Sequence, residues 1–142
     1  MKLIDSTLSN QIIKHVQNKL ANIFFFNHIA VVEINEGIHL NKNNSSKVLD
    51  ELKAYFGTKK PFGVVANRVH SYSIELLDTP FYRKELKNMK AYGVVGHDAA
   101  SKMNATLENN FCTLDKIDFE TIYDAVTYIY EKVKENKYLF VN

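Results

Sequence analysis

The first third of the chain alternates apolar runs with short polar breaks. The runs Ile23–Phe26 and Ile29–Ile34 hold β-branched and aromatic side chains, which predicts two strands. The dipeptide Asn27-His28 between them predicts a two-residue turn, so the strands should form a hairpin. Residues 11–20 carry apolar positions that fit one face of a strand or of a short helix, and we favour the strand.

A helical pattern first appears after residue 43. Residues 43–46, two asparagines followed by two serines, offer several helix N-cap candidates. Gly57 occupies the position of a left-handed C-terminal cap. Between them, the apolar positions recur with the spacing of one helix face, namely Val48, Leu49, Leu52, Tyr55 and Phe56. The pattern predicts a helix that ends at Gly57.

Beyond Gly57 the chain alternates predicted strands and helices. Strands are expected at Phe62–Ala66, Tyr92–Val95 and Phe111–Leu114. Helices are expected from Thr79-Pro80 to about Asn88, after His97-Asp98, and from near Asp118 to about Lys137. This order predicts an α/β fold with a mixed sheet, antiparallel at its N-terminal strands and followed by βα units whose helices pack on the sheet. The expected core contains Val48, Leu49, Leu52, Phe56, Val64, Val65, Val94, Val95, Val126 and Ile129.

Length and charge narrow the class of protein. A chain of 142 residues fits a single domain over residues 1–142, in which we expect residues 1–10 to be loosely ordered. The net charge of +2 is far from the basic balance of nucleic-acid-binding proteins, so we expect no nucleic-acid partner. No apolar run is long enough for a membrane span, and the N-terminus lacks the apolar core of a signal peptide. A single cysteine, Cys112, excludes an intramolecular disulfide and suits the cytoplasm.

Motifs for catalysis, metals and phosphates are missing from the sequence. The five histidines are scattered, and neither Cys-x-x-Cys nor His-Glu-x-x-His occurs. There is no Walker sequence, no Gly-x-Gly-x-x-Gly and no Gly-x-Ser-x-Gly. Cys112 falls inside an apolar run, where a thiol is usually inert packing. We therefore expect no catalytic residue, no metal and no cofactor.

The stretch after the Phe62–Ala66 strand is the candidate site. Ligands of open α/β sheets bind outside the carboxyl ends of parallel strands, where this sequence places Asn67, Arg68, His70, Ser71, Tyr72 and Ser73. Arg68 has a planar fork that suits a carboxylate or phosphate, and Ser71 and Ser73 are candidate phosphorylation sites. The alternative is structural, with Asn67 and Arg68 hydrogen-bonding neighbouring loops.

Three segments resemble STAS-type, SpoIIAA-like domains, in particular a group of single-domain proteins from bacteria such as the Bacteroidetes. They are "EINEGI" at 33–38, "PFGVVANRVHSYSIEL" at 61–76 and "MKAYGVV" at 89–95, and the similarity extends over nearly the whole chain from Ile12. The resemblance implies a mixed sheet with helices packed against it. In the anti-sigma-factor antagonists of the broader family, a kinase phosphorylates a serine of an Asp-Ser-Ser-Gly motif. Here residues 69–73 read Val-His-Ser-Tyr-Ser, without the acid and the glycine, so only the location of the loop carries over.

These observations favour a non-enzymatic cytoplasmic module for regulation or protein interaction. The alternative is a protein that binds a small apolar or acidic molecule between the loop after residues 62–66 and nearby aromatic side chains. The sequence identifies neither partner nor ligand, and it is compatible with a homo-oligomer.

Overall fold

The computed structural model describes residues 1–96 and 118–141, with side chains described as far as residue 135. Its main sheet has six strands: β1 (Lys14–Gln17), β2 (Ala21–Phe25), β3 (Ile29–Ile34), β5 (Phe62–Asn67), β7 (Met89–Val95) and β8 (Asp118–Phe119). They lie side by side in the order β1-β2-β3-β5-β7-β8. Two shorter strands, β4 (His39–Leu40) and β6 (Ser73–Ile74), form a separate parallel pair, which we call the small sheet.

Strand directions follow the predicted mixed pattern. The pairs β1–β2 and β2–β3 are antiparallel, whereas β3–β5, β5–β7 and β7–β8 are parallel. The expected α/β fold with antiparallel N-terminal strands is confirmed. Within residues 11–20 the structure contains a strand, Lys14–Gln17, as we favoured.

Within the described residues, three α-helices flank the sheet: α1 (Ser46–Phe56), α2 (Thr79–Glu85) and α3 (Ile122–Val141). α1 buries four of the five residues of its predicted apolar face and leaves Tyr55 half-buried. Gly57 ends the helix with a positive φ of 72°, a conformation that only glycine adopts without strain. Ser45 occupies the N-cap position, but its hydroxyl makes no capping hydrogen bond.

Two helix boundaries were predicted wrongly. α3 begins at Ile122 and not near Asp118, because residues 118–119 pair with β7 as strand β8. α2 ends at Glu85 and not near Asn88, whose side chain instead donates to the carbonyls of Gly57 at 3.0 Å and Lys60 at 2.8 Å. The predicted helix after His97 and the predicted strand Phe111–Leu114, with Cys112, lie outside the described residues.

The sheet separates two hydrophobic cores. The first lies under α1 and α2, and the second lies under α3 and the N-terminal segment, where Leu3 is fully buried. Residues 3–5 and 7–11 form two short 3₁₀ helices. The residues expected in the core are buried, except that Val126 is half-buried. No helix in the described ranges is both long enough and apolar enough to span a membrane.

Candidate functional site

The loop after β5 lies at the carboxyl ends of the parallel strands, beside the loop that follows β3. Three backbone hydrogen bonds join the two loops: Gly37 N donates to Ser71 O at 2.8 Å, Ser73 N to Ile38 O at 2.9 Å, and Glu75 N to Leu40 O at 2.8 Å. The last two belong to the small sheet. Both loops are therefore held in one conformation at the sheet edge where ligands of this fold class bind.

Asn67 points into the protein and is 1% exposed. Its Nδ2 donates to Glu33 Oε2 at 2.7 Å and to the carbonyl of Met1 at 2.9 Å. The same Glu33 oxygen accepts the backbone N–H of Leu3 at 2.8 Å. These bonds join β3, β5 and the N-terminal segment, so Asn67 is engaged inside the fold.

Arg68 is also buried, at 5% exposure. Its Nη2 donates to the carbonyl oxygen of Tyr72 at 2.7 Å, and its guanidinium carbon lies 4.0 Å from the centre of the Tyr72 ring. The Arg68 backbone N–H donates to Val95 O at 3.0 Å. A charge-assisted hydrogen bond and a stacked ring thus fold residues 68–72 back on themselves, which is the geometry of the structural alternative.

The other three predicted site residues lie outside. Ser71 and Ser73 are exposed and His70 is half-buried. Glu36 Oε2 accepts the backbone N–H of Ser71 at 2.7 Å and lies 3.9 Å from His70 Nδ1. The structure therefore divides the predicted site into a buried half and an exposed half.

Sequence reasoning missed three members of the exposed half. His39 Nδ1 lies 2.7 Å from Ser73 Oγ, and His39 Nε2 lies 3.8 Å from Glu75 Oε2. Glu36 and His39 follow β3. Because β3 and β5 are adjacent parallel strands, the segment after β3 lies next to Ser73, which follows β5. The clue available in the sequence was that both loops follow buried strands. We call His39, His70, Ser71, Ser73, Glu36 and Glu75 the loop face.

An apolar cavity lies beneath the loop, on the α1 and α2 side of the sheet. Its volume is about 80 Å³, and its walls come from β3, β5, β7, α1 and α2, with Tyr72 contributed by the loop. Ser45 and Tyr82 also border the cavity, with their hydroxyl oxygens buried. Burial raises the pKa of Tyr82, and the carboxylates of Asp78 and Glu75 act in the same direction.

Metal ligation finds no support in the described part of the chain. Among residues 1–96 and 118–135, no three His, Cys, Asp or Glu side chains converge in a way that could hold an ion.

Comparison with known proteins shows the fold. The chain is similar to the crystal structure of an uncharacterized protein from the DUF3478 family, with a SpoIIAA-like fold, from Shewanella loihica PV-4. The TM-score is 0.53 at 14% sequence identity, over 82% of this chain and 90% of that chain. No family model and no curated protein matches the sequence. The chain thus has a SpoIIAA-like fold, as the resemblance implied.

Proposed function

We propose that this chain is a non-enzymatic regulatory module of the STAS type that binds a partner protein in the cytoplasm through its loop face. The observation that carries the proposal is the arrangement of His70, Ser71 and Ser73 on a rigid scaffold. Loops on such scaffolds supply binding residues in many proteins because the fold holds their side chains in place. The SpoIIAA-like fold also supports the proposal, because it is the fold of the STAS-type regulatory domains that the sequence resembles.

Phosphorylation of Ser71 or Ser73 would regulate this surface by charge. A phosphate adds nearly two negative charges. At Ser71 they would lie near the Glu36 carboxylate, and at Ser73 near Glu75. Repulsion between a phosphate on Ser71 and Glu36, which belong to different loops, would then open the contact between the two loops. Arg68 takes no direct part, because its guanidinium is buried against Tyr72.

An acidic small molecule bound by the loop itself is a weaker candidate. The side chains best suited to hold it, Asn67 and Arg68, are buried and hydrogen-bonded within the fold. The carboxylates of Glu36 and Glu75 also repel an anion from the outside of the loop.

The test uses immobilised full-length protein and lysate of the source organism at several salt concentrations. We expect a specific partner to bind the unchanged protein and to be lost from the variants Ser71→Glu and Ser73→Glu. Thr58→Glu is the matched control, because Thr58 is an exposed residue in the loop before β5, at the opposite end of that strand. A partner retained by both serine variants, or the recovery of no specific partner, would contradict the proposal.

A further inference from the structure

The amino ends of the parallel strands form a second edge of the main sheet, opposite the loop face. Three connections meet there: residues 26–28 before β3, 57–61 before β5 and 86–88 before β7. Gly63 N donates to His28 O at 2.8 Å. Asn88 Nδ2 donates to the carbonyls of Gly57 at 3.0 Å and Lys60 at 2.8 Å. These bonds hold the three connections side by side.

Exposed lysines lie on these connections. Together the three segments contain Lys59, Lys60 and Lys87, all of them exposed, and no aspartate or glutamate. The lysines therefore give this edge of the sheet a positive charge, whereas the loop face at the other edge carries carboxylates.

Lys14, at the start of β1, belongs to the same surface. Its Nζ lies 5.9 Å from the centre of the Phe25 ring, and Lys60 Nζ lies 6.0 Å from the centre of the Phe56 ring. The centres of these two rings are 5.9 Å apart, so the two ammonium groups lie over neighbouring rings. We call Lys14, Lys59, Lys60 and Lys87 the basic edge.

Glutamates on the neighbouring helices leave the charge of the basic edge in place. On α2, Glu85 Oε2 accepts a hydrogen bond from Lys53 Nζ at 2.7 Å. On α3, Glu135 Oε2 lies 3.7 Å from Lys132 Nζ, and Glu131 is exposed. Within the described ranges, no ion pair joins an acidic side chain to a lysine of the basic edge.

α3 extends to the same end of the molecule. A Cβ atom at Gly63, near the start of β5, would lie 3.0 Å from Val133 Cγ2. Tyr130 is 41% exposed, and the centre of its ring lies 6.4 Å from that of His28. The helix then continues to Val141, about 12 Å beyond Val133 at the helical rise per residue. The sequence of residues 138–141 is Tyr-Leu-Phe-Val.

Lysines beside aromatic and aliphatic residues suit the surface of an anionic bilayer. Anionic headgroups attract the ammonium groups, and tyrosine is favoured at the boundary between headgroups and acyl chains. A nucleic acid fits less well, because the chain has a net charge of only +2 and such partners select strongly basic domains.

We infer that the basic edge, with Tyr130 beside it, is a docking surface for a bilayer that contains anionic phospholipids. The lysines contact the headgroups, and the loop face at the opposite ends of the strands points away from the bilayer. A protein docked in this way presents the loop face to the surrounding solution. The inference does not depend on the proposed partner protein, because it uses a different surface.

Co-sedimentation of full-length protein with lipid vesicles tests the inference. We expect binding to vesicles of phosphatidylcholine with phosphatidylserine and not to vesicles of phosphatidylcholine alone. The triple variant Lys59→Gln/Lys60→Gln/Lys87→Gln should bind the anionic vesicles roughly a hundredfold more weakly, since each lysine near such a surface contributes about fivefold. High salt should also release the unchanged protein.

The matched control is Lys19→Gln/Lys42→Gln/Lys47→Gln. It makes the same change in net charge at three exposed lysines near the opposite edge of the sheet, where their backbones contact Asn35, Asp78 and Asn18. It should weaken vesicle binding by less than about threefold, because charges far from the bilayer are screened. Circular dichroism checks that both variants fold, as expected for exposed positions.

A duplex DNA oligonucleotide, compared at equal phosphate concentration, is the competing probe. Tighter binding to the duplex than to anionic vesicles would assign the basic edge to nucleic acid and overturn the inference. So would the absence of binding to anionic vesicles, equal binding to neutral vesicles, or equal losses in the two triple variants.

Discussion

At the scale of the residue, neighbouring side chains of the polar stretch 67–73 lie in different environments. Asn67 and Arg68 follow each other in sequence, yet one bonds to Glu33 and the other stacks on Tyr72. The chain turns at Arg68, where Val69 N donates to Asn67 O at 2.9 Å, so the extended backbone of β5 ends there. Ser71 and Ser73 then face solvent. The hydrogen-bonding groups of these side chains do not by themselves show which side chains are buried within the fold and which are exposed to solvent.

Replacing Arg68 with alanine should destabilise the fold. The change removes the hydrogen bond to Tyr72 O and the stacking on the Tyr72 ring, both of them buried. We expect the free energy of unfolding to fall by about 2 kcal/mol, the usual size for a hydrogen bond to a charged group. Equilibrium urea unfolding measures it, with Arg83→Ala as control because Arg83 is exposed on α2. An equal, small effect of both substitutions would show that Arg68 does not brace the loop.

At the scale of the element, the two faces of β5 differ in packing density: one face is in close contact with α3, and the other borders the cavity. A Cβ atom added at Gly63 would overlap Ile129 Cγ2 and lie 3.0 Å from Val133 Cγ2, both on α3. Ala66, on the same strand, lines the cavity on the opposite face. Glycine at position 63 thus permits the close packing of α3 on the sheet.

We therefore expect Gly63→Ala to destabilise the fold and Ala66→Val to leave its stability nearly unchanged. Gly63→Ala forces α3 away from the sheet and should cost about 1–3 kcal/mol of unfolding free energy. Ala66→Val fills empty space with a residue suited to a strand, so we expect a change within about 0.5 kcal/mol of zero, or a gain. Chemical denaturation of the two variants in parallel provides the comparison. A larger loss for Ala66→Val than for Gly63→Ala would be inconsistent with the described packing.

The ion pair between α1 and α2 predicts a dependence on pH. Lys53 Nζ donates to Glu85 Oε2 at 2.7 Å and lowers the pKa of Glu85 below its ordinary value of 4.5. A carboxyl group with a lowered pKa stabilises the fold above its unfolded-state pKa and loses that effect as the pH falls through the folded-state value. Glu85→Gln should thus lower the melting temperature slightly at pH 7, and the difference should shrink as the pH falls below 4.5.

Thermal unfolding between pH 3 and pH 7 measures this effect, at low and at high salt. Glu51→Gln, also on a helix surface, serves as the control. Because both partners are partly exposed, salt should weaken the difference. A difference that does not shrink as the pH falls below 4.5 would rule out the ion pair as its source.

At the scale of the whole molecule, the N-terminal segment closes the second core. Leu3 is 0% exposed beneath the sheet, while its neighbour Ile4 is 55% exposed. Leu3 is anchored twice, by its side chain in the core and by its N–H on Glu33.

Leu3→Ala should cost about 2–4 kcal/mol of unfolding free energy, because it leaves a cavity in a packed core. Ile4→Ala, one residue away, should cost less than about 0.5 kcal/mol because that side chain is largely in solvent. Urea unfolding monitored by circular dichroism compares the two variants. Equal losses would mean that residues 1–5 do not pack on the sheet in solution.

The sequence by itself determined the elements whose signal is local. The β-branched runs of β3 and β5, the apolar face of α1 and the glycine at its end were all predicted, because a strand or helix repeats its burial pattern within a few residues. The mixed direction of the sheet followed from the order of these elements. The candidate site was placed at the correct sheet edge for the same reason, while its role in binding stays a prediction.

Only the tertiary structure decided how distant segments meet. The small sheet pairs residues 39–40 with 73–74, and two-residue strands carry too little pattern to be predicted. The burial of Arg68 on Tyr72 and the bond from Asn67 to Glu33, 34 residues away, depend on the arrangement of loops. α3 starts later than the sequence predicted because residues 118–119 pair with β7 as strand β8. Such contacts are selected by the packing of the whole sheet, since each segment alone is equally compatible with another conformation.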